Sequence, residues 1–405
     1  TIALDGGSNV LEISGGVSSS DISTGADADF VQIGSGSPDS IANSTIDLGG
    51  DADTLVVNVD AISASTITAG SGTDTLLVDS TVTGSSLDLG DGDVYISVGS
   101  SVLTSSISAG SGDDTMLFGG VVSNSSIALG DGVNLALGVT SPAGLYNSTL
   151  TSGSGNDSIV FWEGSFNSSV ASGAGDDSLH FGSWGLEAAA GGGNVNVNPS
   201  VIDAGEGNDS LSVVLGVEGT EIAMGEGDNL VSIGLGISDT TITAGTGNDS
   251  LFIGGEDFII DTNISLITTS LISGSAVEDS TVDLGLGDNF SSVSGNVSDS
   301  NISAGTGNDT VVIGANVSGS TIALDDGSNV LEISGSVSSS DISTGVDADF
   351  VQIGSGPADS IVNTALDLGG GADTLVVNVG EWINSTLSGN DGFDSIQIAG
   401  DLVDA

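Results

Sequence analysis

From Thr1 to Ala405 the chain is written in blocks of about twenty residues, and nearly every block carries a Gly-x-Gly-x-Asx turn followed by a short apolar run. A unit of that length cannot bury an apolar face alone and does so only by stacking on its neighbours, so the repeat sets the architecture. Thr66 opens TITAGSGTDTLLVDSTVTGS and Ser106 opens SISAGSGDDTMLFGGVVSNS, while Thr241 and Asn301 open blocks of the same form. Counting the first residue of a block as position 1, an apolar residue stands at 2, glycines at 5 and 7, Asp or Asn at 9, and apolar residues again at 11, 13 and 17. Alternation with period two, broken by glycine, is strand patterning, and helical periodicity is absent.

The expected fold is therefore all-β: one parallel β-solenoid running continuously over 1–405, with about nineteen rungs of about twenty residues. Strands stacked at about 4.7 Å per coil give a rod on the order of 90 Å long. Neighbouring rungs alternate in kind. One reads A-G-x-G-N-D, as at Ala244 to Asp249, and the next L-G-x-G-D-N, as at Leu284 to Asn289. Position 4 swaps in step through Ala69, Leu89, Ala109 and Leu129, which lets large and small side chains interlock, so the unit is a pair of rungs.

Residues 1–59 return almost verbatim at 321–379, which points to tandem duplication inside a longer array, with the ends of the chain as cuts through it. Two stretches break the period. A Gly-rich segment at about 185–200 reads as an insertion loop. A stretch at about 256–280 keeps apolar alternation without the glycine turn and reads as a degenerate rung, with Phe258, Ile259 and Ile260 as a contact surface.

Charge is the second constraint. The chain has 55 Asp plus Glu, no Lys, no Arg and one His, for a formal charge of −55. On a rod of that length this is about one negative charge per 1.6 Å, close to the roughly 1.7 Å spacing of duplex DNA. No permanently positive side chain is available to offset it, and self-repulsion opposes the compact state. Nucleic acid and anionic membrane surfaces are excluded as direct partners, and divalent cations are the expected ones.

Position 9 places the acids where a cation is needed. It reads Asn9, Asp29, Asp53, Asp74, Val94, Asp114, Asn134, Asp157, Asp177, Asp209, Asn229, Asp249, Asn289, Asp309, Asn329, Asp349, Asp373 and Asp394. In a solenoid these form a column along one edge. Carboxylates repeating at about 4.7 Å repel unless a hard, oxygen-seeking cation such as Ca²⁺ lies among them. The candidate metal ligands are the twelve Asp residues of that column. Backbone carbonyls near Gly70, Gly72, Gly110, Gly112, Gly245, Gly247, Gly305 and Gly307 complete the set, because glycine permits the backbone to turn them toward an ion. The alternative is a structural Asx ladder with no metal, since Asp and Asn also favour turns and stack well.

The runs AGTGNDSLFIGG (244–255), AGTGNDTVVIG (304–314) and SGSGNDSIVF (152–161) resemble the calcium-binding RTX repeats, G-G-x-G-x-D-x-U-x with U apolar. The pattern is most similar to the one-turn-per-coil x-G-T-G-N-D repeats of ice-binding RTX adhesins. The resemblance implies a β-roll or solenoid with Ca²⁺ in the turns and secretion by a bacterium. The second turn of each coil is Ser/Asn-rich and lacks the Asp, so calcium is expected along one edge only.

No catalytic set is visible, and the chain is not expected to be an enzyme. His180, at position 12, should point outward, and nothing of the Cys, Lys or Arg kind stands near to join it. Trp162, Trp184 and Trp382 read as local packing, with sugar stacking as the alternative. Asn124, Asn147, Asn167, Asn296, Asn316 and Asn384 head Asn-x-Ser/Thr sequons on turns and are candidate acceptors for glycans, the alternative being that a chain this rich in Asn, Ser and Thr forms sequons by chance. No apolar run is long enough to span a membrane. The expected function is an extracellular, calcium-stabilised structural protein: the body of a surface fibre, surface layer or adhesin stalk, stacking end to end or laterally on its own copies. The alternatives are an ice-binding or carbohydrate-binding adhesin module, the ice face built on Thr246/Asn248 and Thr306/Asn308, and a calcium- or mineral-sequestering acidic matrix.

Overall fold

The computed structural model describes residues 1–140, 143–182, 195–254 and 276–403. Every regular element among them is a β-strand and every pairing is parallel. The chain is a parallel β-solenoid of about eighteen turns of roughly twenty residues. It divides into two compact units, Thr1–Ala189 with Pro199–Gly205, and Ala190–Asn198 with Glu206–Ala405.

One coil of the first unit shows how the sequence builds a turn of the solenoid. Thr66–Thr68 forms the first strand, Thr75–Val78 the second and Thr81–Thr83 the third. Each pairs with its counterpart twenty residues later, Ile67 with Leu87, Leu76 with Ile96 and Val82 with Val102. Because the side-chain period of a strand is two, this register keeps every inward residue above another inward residue. Ile67, Ala69, Leu76, Val78 and Val82 are all buried. Each large one among them stabilises the fold by roughly 1.5–3 kcal/mol. The alternation at position 4 is realised: Ala69, Leu89, Ala109 and Leu129 stack in the core.

The second unit repeats the plan. Thr241–Thr243 pairs with Glu221–Ala223 and Thr281–Asp283, and Ser250–Ile253 pairs with Leu230–Ile233 and Phe290–Val293. The pairing of Ser250–Ile253 with Phe290–Val293 skips forty residues, so the predicted degenerate rung adds no turn to this column. Most of that stretch, Phe258, Ile259 and Ile260 included, lies outside the described residues. In the predicted loop at 185–200, Val195–Asn198 forms a strand paired with Gly216–Glu218, and residues up to 194, Trp184 among them, lie outside the described residues. No helix among the described residues is long and apolar enough to cross a membrane.

Candidate metal centre

The segment joining the first strand to the second, positions 4 to 9, ends on the Asx column, and the structure turns that column inward. Asp29, Asp53, Asp74, Asp114, Asp157, Asp177, Asp209, Asp249, Asp309, Asp349 and Asp373 are each at most 4% exposed. Asp394, on the last coil, is half-exposed. What lies between successive side chains is a backbone amide. The N–H of one column residue donates to Oδ1 of the next: Asp29 to Asp53 at 2.8 Å, Asp53 to Asp74 at 2.7 Å and Asn134 to Asp157 at 2.8 Å. In the second unit Asn229 donates to Asp249, Asp249 to Asn289 and Asn289 to Asp309, each at 2.9 Å. Val94 offers no oxygen, so the Asp74 N–H has no column acceptor there, although the Val94 N–H still reaches Asp114 Oδ1 at 2.8 Å.

The second terminal atom separates Asn turns from Asp turns. Asn134 Nδ2 donates to the carbonyls of Gly130 at 3.0 Å and Gly132 at 3.1 Å. Asn229 Nδ2 reaches Gly227 O at 3.1 Å and Ala244 O at 3.3 Å, and Asn289 Nδ2 reaches Gly287 O at 3.0 Å. Asn329 Nδ2 lies among three carbonyls, those of Leu324, Asp325 and Thr344, at 3.0–3.3 Å. The amide thus sits in a nest of acceptors belonging to positions 4, 5 and 7. In the Asp turns an isosteric carboxylate makes the same Oδ1 bond, which leaves an oxygen where the nest calls for a donor. Oδ2 of Asp29, Asp53, Asp74, Asp114, Asp249, Asp309, Asp349 and Asp373 is buried with no hydrogen-bond partner. The Asn229, Asn289 and Thr344 side chains approach Asp249, Asp309 and Asp349 and favour the charged form without reaching hydrogen-bond geometry to that oxygen.

Burial is the main reason Asp53, Asp74, Asp114, Asp249, Asp309, Asp349 and Asp373 resist ionisation. It pushes Asp53 up to about 7, against the Asp29 N–H and with the charges of Asp74, Asp29 and Asp51. Asp114, Asp249 and Asp349 are pushed up to about 6 by burial, with smaller contributions from Asp93 and Asp113, Asp228, and Asp373 and Asp347. A carboxyl whose folded pKa lies above its unfolded value binds more protons when folded, so stability is greatest below the unfolded pKa and is lost as pH rises through the folded one. Without metal, the midpoint of thermal unfolding is therefore expected to fall steadily between about pH 4 and pH 7. A flat or rising profile over that window in chelator would contradict the burial of ionisable carboxyls.

The residues fit a hard divalent cation. In the Asn turns the second terminal atom donates to carbonyls, while its counterpart in the Asp turns is an orphaned oxygen, and a cation at that place would satisfy both oxygen sets at once. Among the described residues no three His, Cys, Asp or Glu side chains converge to hold a metal. An ion here would therefore be held by fewer than three such side chains together with main-chain oxygens. For Asp74, Asp114, Asp249 and Asp309 those oxygens would come from the turns containing Gly70 and Gly72, Gly110 and Gly112, Gly245 and Gly247, and Gly305 and Gly307. The carbonyls of Gly70, Gly110 and Gly245 already accept the N–H of Asp91, Asp131 and Leu286 at 2.9–3.1 Å, which uses one of their two lone pairs. A bound divalent ion supplies positive charge that the chain itself lacks.

A second buried column went unread in the sequence. The serines at position 20 form a hydroxyl ladder at the opposite corner: the N–H of Ser65, Ser85 and Ser105 donates to Oγ of Ser85, Ser105 and Ser125 at 3.1–3.2 Å. Each hydroxyl in turn donates to the carbonyl two residues back, as Ser85 does to Thr83 at 2.9 Å. The second unit repeats it through Ser280, Ser300, Ser320 and Ser340. The signal was present as a serine every twenty residues, but serine is so frequent here that the period hid in the composition. This ladder is why the second corner needs no Asp.

Residues just before the ladder take left-handed backbone, with φ of 51° at Asn124, 49° at Asn147 and 48° at Asn167, a conformation that asparagine adopts readily. All six sequon asparagines named above are exposed. His180 lies outward and half-buried, its Nε2 2.9 Å from Gly182 O and its ring edge-on to Trp162. Trp382 is a core residue whose Nε1 donates to Ser385 O at 3.2 Å. Thr246, Asn248, Thr306 and Asn308 are exposed, as are the interrupting Glu226, Leu286, Asp91 and Asp131.

No family model matches the chain, and no curated protein matches it. Among solved structures it is similar to the X-ray crystal structure of a hyperactive, Ca²⁺-dependent, beta-helical antifreeze protein from an Antarctic bacterium, at 16% identity and a TM-score of 0.32, over 96% of this chain and 83% of that one. A likeness that distant carries neither a ligand nor an activity across, and the RTX likeness remains one of turn residues.

Proposed function

We propose that this chain is an extracellular structural protein stabilised by calcium, the repeating body of a surface fibre, surface layer or adhesin stalk that assembles with its own copies. The observation that carries the reading is the set of buried carboxylate oxygens without a hydrogen-bond partner at Asp29, Asp53, Asp74, Asp114, Asp249, Asp309, Asp349 and Asp373, in a chain with no Lys or Arg. Uniform turns suit a length-setting role, and a stack of metal-braced coils suits a compartment rich in calcium. Isothermal titration with CaCl₂ is expected to show saturable sites in number comparable with the Asp turns. A titration with only weak, non-saturating binding would transfer support to a sequestering matrix.

An ice-ordering surface needs an uninterrupted flat array. Here the exposed Thr246/Asn248 and Thr306/Asn308 rows are separated by Leu286 and adjoin Glu226. Purified protein is accordingly expected to give no thermal hysteresis beyond its colligative effect, and a clear hysteresis gap with faceted crystals would overturn the structural reading.

A further inference from the structure

The two kinds of turn differ by more than the residue at position 9. From Asn208 to Asp309 every described turn carries one Asp and one Asn at positions 8 and 9, in alternating order: Asn208-Asp209, Asp228-Asn229, Asn248-Asp249, Asp288-Asn289, Asn308-Asp309. Position 9 is buried and position 8 exposed, so the carboxylate alternates between inside and outside while its number per turn stays constant. The exposed members are tied into their own ladder. Asn248 N–H donates to Asp228 Oδ1 at 2.8 Å, and Asn308 donates to Asp288 Oδ1 through its N–H at 2.7 Å and its Nδ2 at 3.2 Å. Each exposed Asp is thereby fixed beside the Asn-Asp pair of the following turn.

We propose that in this part of the chain one divalent cation serves two consecutive turns. The ion lies at the buried Asp of one turn, the exposed Asp of the preceding turn balances its second charge, and the Asn of that preceding turn fills its own cation place with its amide. The inference rests on the reading that the buried column takes a hard divalent cation. A dication beside a single buried carboxylate leaves an uncompensated charge in a low-dielectric interior, which is costly. Asp228 beside the Asp249 turn and Asp288 beside the Asp309 turn remove that excess. At Asn229 and Asn289 the amide already donates to Gly227 O, Ala244 O and Gly287 O, so the nest there has its positive end and no room for an ion. The swap of N-D and D-N is thus a charge register with a period of two coils. Ions repeat at about 9.4 Å in it rather than about 4.7 Å, which lowers their mutual repulsion.

The test uses the full chain with CaCl₂ as the only probe, counting bound calcium by elemental analysis after dialysis and measuring melting in chelator at pH 8. Asp249→Asn is expected to lose one ion per chain and to melt higher than wild type in chelator, because the new amide supplies the missing donor. Asn229→Asp is expected to gain one ion and to melt lower in chelator. Asp228→Asn, at an exposed position, should keep the wild-type count but weaken the affected site about tenfold. If wild type binds calcium yet Asn229→Asp adds none, or Asp249→Asn loses none, the amide is not a stand-in for the ion and the register falls. If wild type binds no calcium at all, the reading beneath it falls as well.

Discussion

Excess chelator at pH 8 and low ionic strength is expected to abolish the β-sheet circular dichroism of this protein or to lower its melting temperature by tens of degrees. At that pH buried carboxyls such as Asp53, Asp114, Asp249 and Asp349 are driven toward ionisation, and each of these then carries a charged oxygen with no donor. Leaving a buried polar atom unsatisfied costs about 1–3 kcal/mol, more when it is charged. The first unit holds Asp53, Asp74 and Asp114 in this state. Three such groups, at the upper end or beyond, approach the whole net stability of an ordinary domain, about 5–15 kcal/mol. With calcium at about a hundred times its dissociation constant, each site instead contributes about 2.7 kcal/mol. At pH 5 in the same chelator much of the order should return, since protonated carboxyls donate where the ion was. Unchanged dichroism and melting in chelator at pH 8 would show that the Oδ1 ladder suffices and that the column is purely structural.

The second large effect is expected from Gly90→Ala. Gly90 sits at φ +72°, and a Cβ there would lie 1.5 Å from the carbonyl oxygen of Gly70 on the coil beneath. The left-handed conformation alone costs alanine about 1–2 kcal/mol. Relieving the overlap requires the two coils to part, which breaks the hydrogen bonds from Asp91 N–H to Gly70 O at 3.0 Å and from Gly72 N–H to Asp91 O at 2.9 Å. A loss above about 4 kcal/mol is expected, in the range reserved for severe core lesions. Gly84→Ala is the control: its φ is +56° but its added methyl meets nothing within 4 Å, so it should cost only the conformational term. Equal melting of the two variants would mean that close stacking of the turns does not limit stability.

Much of this was legible from residue spacing. A twenty-residue period with apolar positions 2, 11, 13 and 17 leaves few ways to bury Ile67, Leu76, Val78 and Val82 other than a stack of like upon like, and those side chains are buried. Glycine at 5 and 7 marked the close turn, and the Asp column marked where charge collects. Less legible was what fills the corner just before each first strand. The Ser65–Ser85–Ser105 ladder depends on hydroxyls meeting amides one coil away, and composition gives no hint of such a partner. The different fate of Asn and Asp was also hidden, because as letters both are turn formers.

The sequence by itself determined the period, the all-β class, the inward alternation and the absence of any internal counter-charge, since these follow from residue order and from a side-chain period of two. Only the tertiary structure decided that the Asx column points into the coil, that a neighbouring N–H takes one oxygen of each carboxylate, and that the other oxygen lies where an asparagine amide meets carbonyls. The reason is physical: hydrogen-bond satisfaction across a stack is set by which atom of one coil lies over which atom of the next. That registry exists only once the coils are closed.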